Sequence, residues 1–140
     1  VLRPAALTLA GVALVGLSAC ASSDAGGDGG SSDAGTSLTI VVTPAEGAKT
    51  STYDLTCDPA GGEHPQPAQA CDAIAAGGAD IFEEPPADQT CTQQYGGPQV
   101  ATITGTYDGK DVEATFSRAN GCEIDRWDEL GTTVFNVPLL

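Results

Sequence analysis

The chain has 140 residues, room for one domain of ordinary size plus accessory segments, and only three Phe, three Tyr and one Trp, with no Met, to build a core. Five Lys and Arg against nineteen Asp and Glu leave a formal charge of −14, which argues against nucleic acid as a partner: phosphate binding needs clustered cations, and no basic stripe exists. The acidity predicts a well-solvated surface, and so modest a core gives the five cysteines weight as covalent staples.

Residues 1–20, VLRPAALTLAGVALVGLSAC, set Arg3 before an uncharged apolar run from Ala5 to Leu17, the layout of a secretory signal. The run is shorter than the roughly 20 residues a spanning helix needs, so a permanent transmembrane segment is the weaker reading. It ends in Leu17-Ser18-Ala19-Cys20, which resembles the lipobox of bacterial lipoproteins. That resemblance implies a signal peptide over residues 1–19, acylation of Cys20, and residence on the outer face of the bacterial cytoplasmic membrane. Buried acyl chain contributes about 0.8 kcal/mol of anchoring per CH2. Setting Cys20 aside leaves an even four cysteines for pairing in an oxidising exterior.

Residues 20–37 hold the candidate lipidated cysteine and a tract of Ala, Ser, Gly, Thr and Asp with no large apolar side chain. Such a linker has a root-mean-square reach of roughly 20 to 25 Å, enough to hold a domain away from a membrane. The folded domain is expected over residues 38–140. Leu38 to Pro44 is β-branched and stopped by proline, which predicts a strand. In STYDLTC, Tyr53, Leu55 and Cys57 alternate with polar residues, a second strand with those three inward.

PQPAQACDAIAAGG predicts a helix, with Pro67 in its first turn, Gly77-Gly78 at its end, and Cys71, Ile74 and Ala75 on one face. IFEEPPADQTC is expected to be exposed and irregular. QVATITGTYDGKDVEATFS predicts a β-hairpin turning at Asp108-Gly109, with Ile103, Gly105 and Tyr107 on one arm facing Val112, Ala114 and Phe116 on the other. After a polar turn or short helix near Trp127, a last strand is expected from about Thr132 to Val137. Strands around a helix with hairpin connections indicate an α+β fold on an antiparallel sheet.

Catalysis finds little support. His64 is the one histidine, placed beside proline in GGEHPQP, and no Ser or Cys sits in a GxSxG elbow, so the chain is not expected to be an enzyme. Glu63 and His64 fall far short of a closed metal site; neither metal nor cofactor is expected, and His64 is read as a packing or turn-ordering residue. Four cysteines at 57, 71, 91 and 122 allow three connectivities, and spacing alone does not choose among them.

From YDLTCDPAGGEHPQPAQACDAIAAGGAD through CTQQY to GCEID and TTVF, the chain resembles the Streptomyces subtilisin inhibitor family of secreted serine-protease inhibitors. The shared LTC, HPxP and AC elements, with all four cysteines in register, span roughly residues 38 to 136. The resemblance implies a two-layer α+β sandwich of a five-stranded antiparallel sheet and two helices, often a homodimer through the sheet. It also implies the pairings Cys57–Cys71 and Cys91–Cys122. By resemblance again, the reactive loop falls on Thr90, Cys91, Thr92, Gln93, Gln94, Tyr95 and Gly96. Gln93 is then the primary specificity residue and Gln93–Gln94 the scissile-like bond, offered to a subtilisin-like serine protease.

Three features depart from the family's pattern. Thr92 stands where proline is common, leaving φ less restricted. Gln93 stands where Met, Lys or Arg is general; its amide must be desolvated in an apolar pocket, and it has no charge to pair with a carboxylate. The Gly96-Gly97-Pro98 stretch carries one extra residue and is expected to soften the loop. These departures predict weaker inhibition of ordinary subtilisins than a typical member shows. The alternative function is a non-inhibitory binding or structural module of the cell envelope on the same scaffold.

Overall fold

Alternation of apolar and polar side chains along Thr36–Thr43 makes β1, whose Thr36, Leu38, Ile40 and Val42 are buried while the intervening residues face outward. This computed structural model describes residues 35–137; the expected signal peptide, Cys20 and most of the linker lie outside the described residues. β1 begins two residues before the expected domain start, because Thr36 is itself buried and its Oγ1 accepts the backbone N–H of Asp108 at 3.2 Å.

β1 is the centre of a five-stranded antiparallel sheet. Its neighbours are β2 (Ser51–Cys57) and β4 (Val100–Tyr107); β3 (Gly61–Gly62) flanks β2, and β5 (Lys110–Ser117) flanks β4. The register pairs Ile40 with Tyr53 on one side and Ile103 on the other, so Leu38, Ile40, Leu55, Ile103, Ala114 and Phe116 share the inner face. β4 and β5 form the expected hairpin: Tyr107 pairs with Lys110 across Asp108 (φ 46°) and Gly109 (φ 77°), the left-handed pair that a two-residue turn requires.

Two helices cover the inner face. α1 (Pro67–Gly77) opens with proline at its first turn, where the missing N–H costs no hydrogen bond, and ends at Gly78, which takes φ 66° and donates to the carbonyl of Ile74 at 2.9 Å. Its buried residues are Ala70 and Ile74; Ala75, expected inward, is exposed, and Cys71 turns aside to the disulfide with Cys57, which ties α1 to β2.

The stretch expected as a last strand is helical. α2 (Gly121–Phe135) runs through Thr132 to Phe135, broken only at Gly131 (φ 55°). β-branched content suggested a strand, but Ile124, Trp127, Leu130, Val134 and Phe135 recur at helical spacing and are all buried, and packing of that face overrides local propensity. Trp127 stacks on Phe135 with ring centroids 4.3 Å apart, and Phe135 meets Phe116 at 5.3 Å, locking α2 to β5. The fifth strand is instead the two glycines of β3, paired with Leu55 and Thr56. A side chain at Gly62 would run into the carbonyl of Asp54.

The segment expected to be irregular begins with a 3-10 turn, Ala79–Phe82, that buries Ile81 and Phe82. Arg126 holds it: its Nη2 donates to the Ile81 carbonyl at 3.1 Å and its Nη1 to the Thr115 carbonyl at 3.1 Å, with the guanidinium 4.4 Å from the Phe116 ring centre. Among the described residues no helix is long and apolar enough to cross a membrane.

Candidate functional site

His64 acts as a fold-ordering group. It is buried; the backbone N–H of Gln66 donates to its Nδ1 at 3.0 Å, which leaves Nε2 as the donor to the Val134 carbonyl at 2.8 Å. It thereby pins the entry to α1 against the end of α2, with the Tyr53 ring edge-on at 5.3 Å. Among the described residues no group of three or more His, Cys, Asp or Glu is placed to hold a metal ion.

The segment from Thr90 to Gly96 has neither helix nor strand and lies across the entrance to α2. Thr90, Thr92, Gln93, Gln94 and Tyr95 are exposed, Tyr95 by 68 %, whereas Cys91 and Gly96 are half-buried. An exposed Tyr beside two exposed amides is a polar surface with one large apolar side chain, and the loop from Gln89 to Pro98 carries no charge.

The loop is held at both ends by the short connection from β5 to α2. On the amino-terminal side, Cys91 is disulfide-bonded to Cys122, with Cα atoms 5.4 Å apart. Next to it, the backbone N–H of Gly121 donates to the carbonyl of Thr92 at 3.1 Å. Gly121 opens α2, so its N–H is one of the donors that a helix start leaves unpaired, and the loop satisfies it. On the carboxy-terminal side, the Gly96 N–H donates to the Arg118 carbonyl at 2.7 Å, and Arg118 Nε donates back to the Gly96 carbonyl at 3.0 Å. Gln93, Gln94 and Tyr95 bridge these two posts.

The posts depend on glycine. A Cβ at Gly121 would overlap Thr92 Oγ1 and come within 3.2 Å of Thr92 Cβ. One at Gly96 would come within 2.8 Å of Ile124 Cγ1 and 3.0 Å of Arg118 Nε. Gly96, expected to soften the loop, is therefore a place of close approach with both of its peptide groups bonded. Gly97 does take a glycine-favoured φ of 132°, and its α-carbon lies against the side-chain amide of Gln99, which is buried with Oε1 unpaired among the described residues.

The seven loop residues taken from the family resemblance form one continuous stretch spanning the two posts, and the four cysteines pair as the resemblance implies. Sequence reading missed the supports: Arg118, Asn120, Gly121, Ile124 and Asp128. One signal was present. Asn120 lies three residues before Glu123, and its side-chain oxygen accepts the Glu123 N–H at 3.1 Å, a helix start that sets where Gly121 and Cys122 stand.

A disulfide-braced, solvent-facing loop on an antiparallel sheet with two helices defines a display scaffold, and comparison with known proteins gives its family. The family model described as subtilisin inhibitor-like matches residues 34–120, and the chain belongs to that family. A subtilase-type protease inhibitor of Streptomyces fradiae is 36% identical over 124 residues, covering 79% of this chain and 87% of that protein. Subtilisin inhibitor-like protein 1 of Streptomyces cacaoi is 31% identical over 96 residues, covering 62% of this chain and 86% of that protein. A solved structure of Streptomyces caespitosus sermetstatin in complex with Bacillus licheniformis subtilisin covers 74% of this chain and 99% of that one, at 22% identity and a TM-score of 0.47.

Proposed function

We propose that this chain inhibits subtilisin-like serine proteases by presenting Thr90–Gly96 as a substrate-like loop, with Gln93 entering the primary specificity pocket and Gln93–Gln94 as the bond under attack. One observation carries the reading: hydrogen bonds or a disulfide hold the backbone on both sides of Gln93–Gln94 to the single segment Arg118–Cys122. Ordering the loop during folding removes that cost from binding, so affinity rises without added contacts. If the bond is hydrolysed, both new ends stay tied to the same segment, and the product complex neither separates nor releases the protease.

The same reading puts Cys20 under lipid, with the linker holding the inhibitory domain out from the bacterial membrane where secreted proteases are met. It is supported by the lipobox-like residues Leu17 to Cys20 and the uncharged run before them.

Titration of the purified domain against subtilisin, with mass analysis of the loop, tests the inhibitory function. Inhibition near one-to-one, with cleavage confined to Gln93–Gln94 and slow, is expected. Steady turnover of the loop without lasting inhibition would instead make the scaffold a binding module for another envelope protein.

A further inference from the structure

Arg118 is 9 % exposed, and it follows directly on β5. Burying a guanidinium is costly unless the charge is paired and its donors are used. Here Nη1 donates to Asp128 Oδ1 at 2.7 Å while Nε donates to the Gly96 carbonyl at 3.0 Å, and the carbonyl of Arg118 accepts the Gly96 N–H at 2.7 Å. One residue therefore closes a ring with both peptide groups of Gly96. Arginine suits this double task because its planar fork offers separate donors in fixed directions, whereas lysine has a single ammonium point. Asp128 lies on α2, beyond the Asn120 cap, and its side chain is half-exposed, so the acid orients the guanidinium from the helix while Arg118 orients the loop.

Gly96 is two residues beyond Gln94, the residue whose amine would be freed by cleavage. We propose that Arg118, oriented by Asp128, is the positioning residue that keeps the Gln94 end of the loop in place and so makes cleavage reversible; this rests on the inhibitory reading above. When the protease serine attacks the Gln93 carbonyl, an ester forms between the two and the C–N bond to Gln94 breaks, the nitrogen leaving as an amine with the proton taken from the serine. With Gly96 held, that amine stays beside the ester; its attack remakes the Gln93–Gln94 bond and returns the serine with its proton. Without Arg118 the amine drifts away, water reaches the ester, and the inhibitor is consumed as a substrate.

The full chain and its Arg118→Gln, Arg118→Lys and Asp128→Asn variants, each mixed with subtilisin, provide the test. Net cleavage at Gln93–Gln94 rises by about tenfold in Arg118→Gln, the scale of one lost charge-assisted hydrogen bond. The rise is smaller in Asp128→Asn and partly rescued in Arg118→Lys. A readout without protease runs alongside: amide hydrogen exchange at Gly96 quickens by a similar factor in Arg118→Gln and Asp128→Asn while Ile74 in α1 is unaffected.

Unchanged cleavage and unchanged Gly96 exchange in folded Arg118→Gln overturn the assignment; should that variant not fold, the same two readings on Asp128→Asn decide it. If the wild-type chain is itself degraded without lasting inhibition, the inhibitory reading fails. The Gly96 exchange then decides separately whether Arg118 positions the loop, quickening upholding it and no change refuting it.

Discussion

The backbone N–H of Gly121 donates to the carbonyl of Thr92 at 3.1 Å, and the bare α-carbon of Gly121 leaves the space in which the Thr92 side chain rests. Helix start and loop are thus one packing unit: a methyl group at residue 121 must push Thr92 away. Gly121→Ala is expected to weaken subtilisin inhibition by about tenfold, the value of one bent or lost hydrogen bond. The inhibition constant measured beside thermal unfolding checks it, and an unaltered constant would show that the Thr92 contact does not shape the loop.

Gln93 is exposed, so its side chain can enter a partner's pocket and can be exchanged. Gln93→Lys should move potency toward trypsin-like proteases by at least about tenfold, since the new ammonium can pair with a pocket carboxylate where the amide cannot. Gln93→Met should raise potency toward subtilisin by sparing the desolvation of an amide. A protease panel that ranks all three chains alike would refute Gln93 as the specificity residue.

The Cys91–Cys122 disulfide closes a loop with a sequence separation of 31 and also forms one post of the site. Replacing both cysteines by serine is expected to cost about 3 to 4 kcal/mol of stability from the regained freedom of the unfolded chain. Denaturant unfolding measures that cost. At temperatures where the variant is still folded, the loop should turn from inhibitor into substrate, seen as complete cleavage by catalytic subtilisin.

Asn120→Ala removes the acceptor for the Glu123 N–H at the start of α2. A loss of about 1 kcal/mol is expected in denaturant unfolding. Because Gly121 and Cys122 occupy the same turn, inhibition should weaken too, whereas an equal cap loss elsewhere would leave it untouched. Stability falling with inhibition constant unchanged would separate the cap from the site.

Cys20→Ser tests the anchor. The variant should leave the membrane fraction and appear in the medium, because removing the acylated thiol removes the buried chains that hold the protein. Retention at the wild-type level in fractionated cells would refute lipidation at this cysteine.

Local signals were the legible part of the fold. Asp108-Gly109 between two alternating runs sufficed for the β4–β5 hairpin, and Pro67 with Gly77-Gly78 marked both ends of α1, because turn and cap chemistry acts over a few residues. Thr132 to Val137 misled for the converse reason. Its β-branched side chains favour a strand in isolation, and only contact with the sheet rewards the helical spacing of Trp127, Leu130 and Val134. Two glycines gave no strand signal at all, since β3 exists through its pairing with Leu55 and Thr56.

The amino-acid sequence by itself determined the four domain cysteines but not their pairing, the alternating strands, the acidity and an uncharged stretch after the third of those cysteines, and only the family resemblance marked that stretch as the loop to watch. What holds that loop was decided by tertiary structure alone. Arg118 reaches Gly96 across 22 residues of chain and Gly121 reaches Thr92 across 29, while Asp128 acts through its bond to Arg118. No periodicity or turn rule links residues so far apart. Only the packing of α2 against β5, through Trp127, Phe135 and Phe116, brings the β5–α2 connection beneath the loop and turns a polar stretch into a braced one.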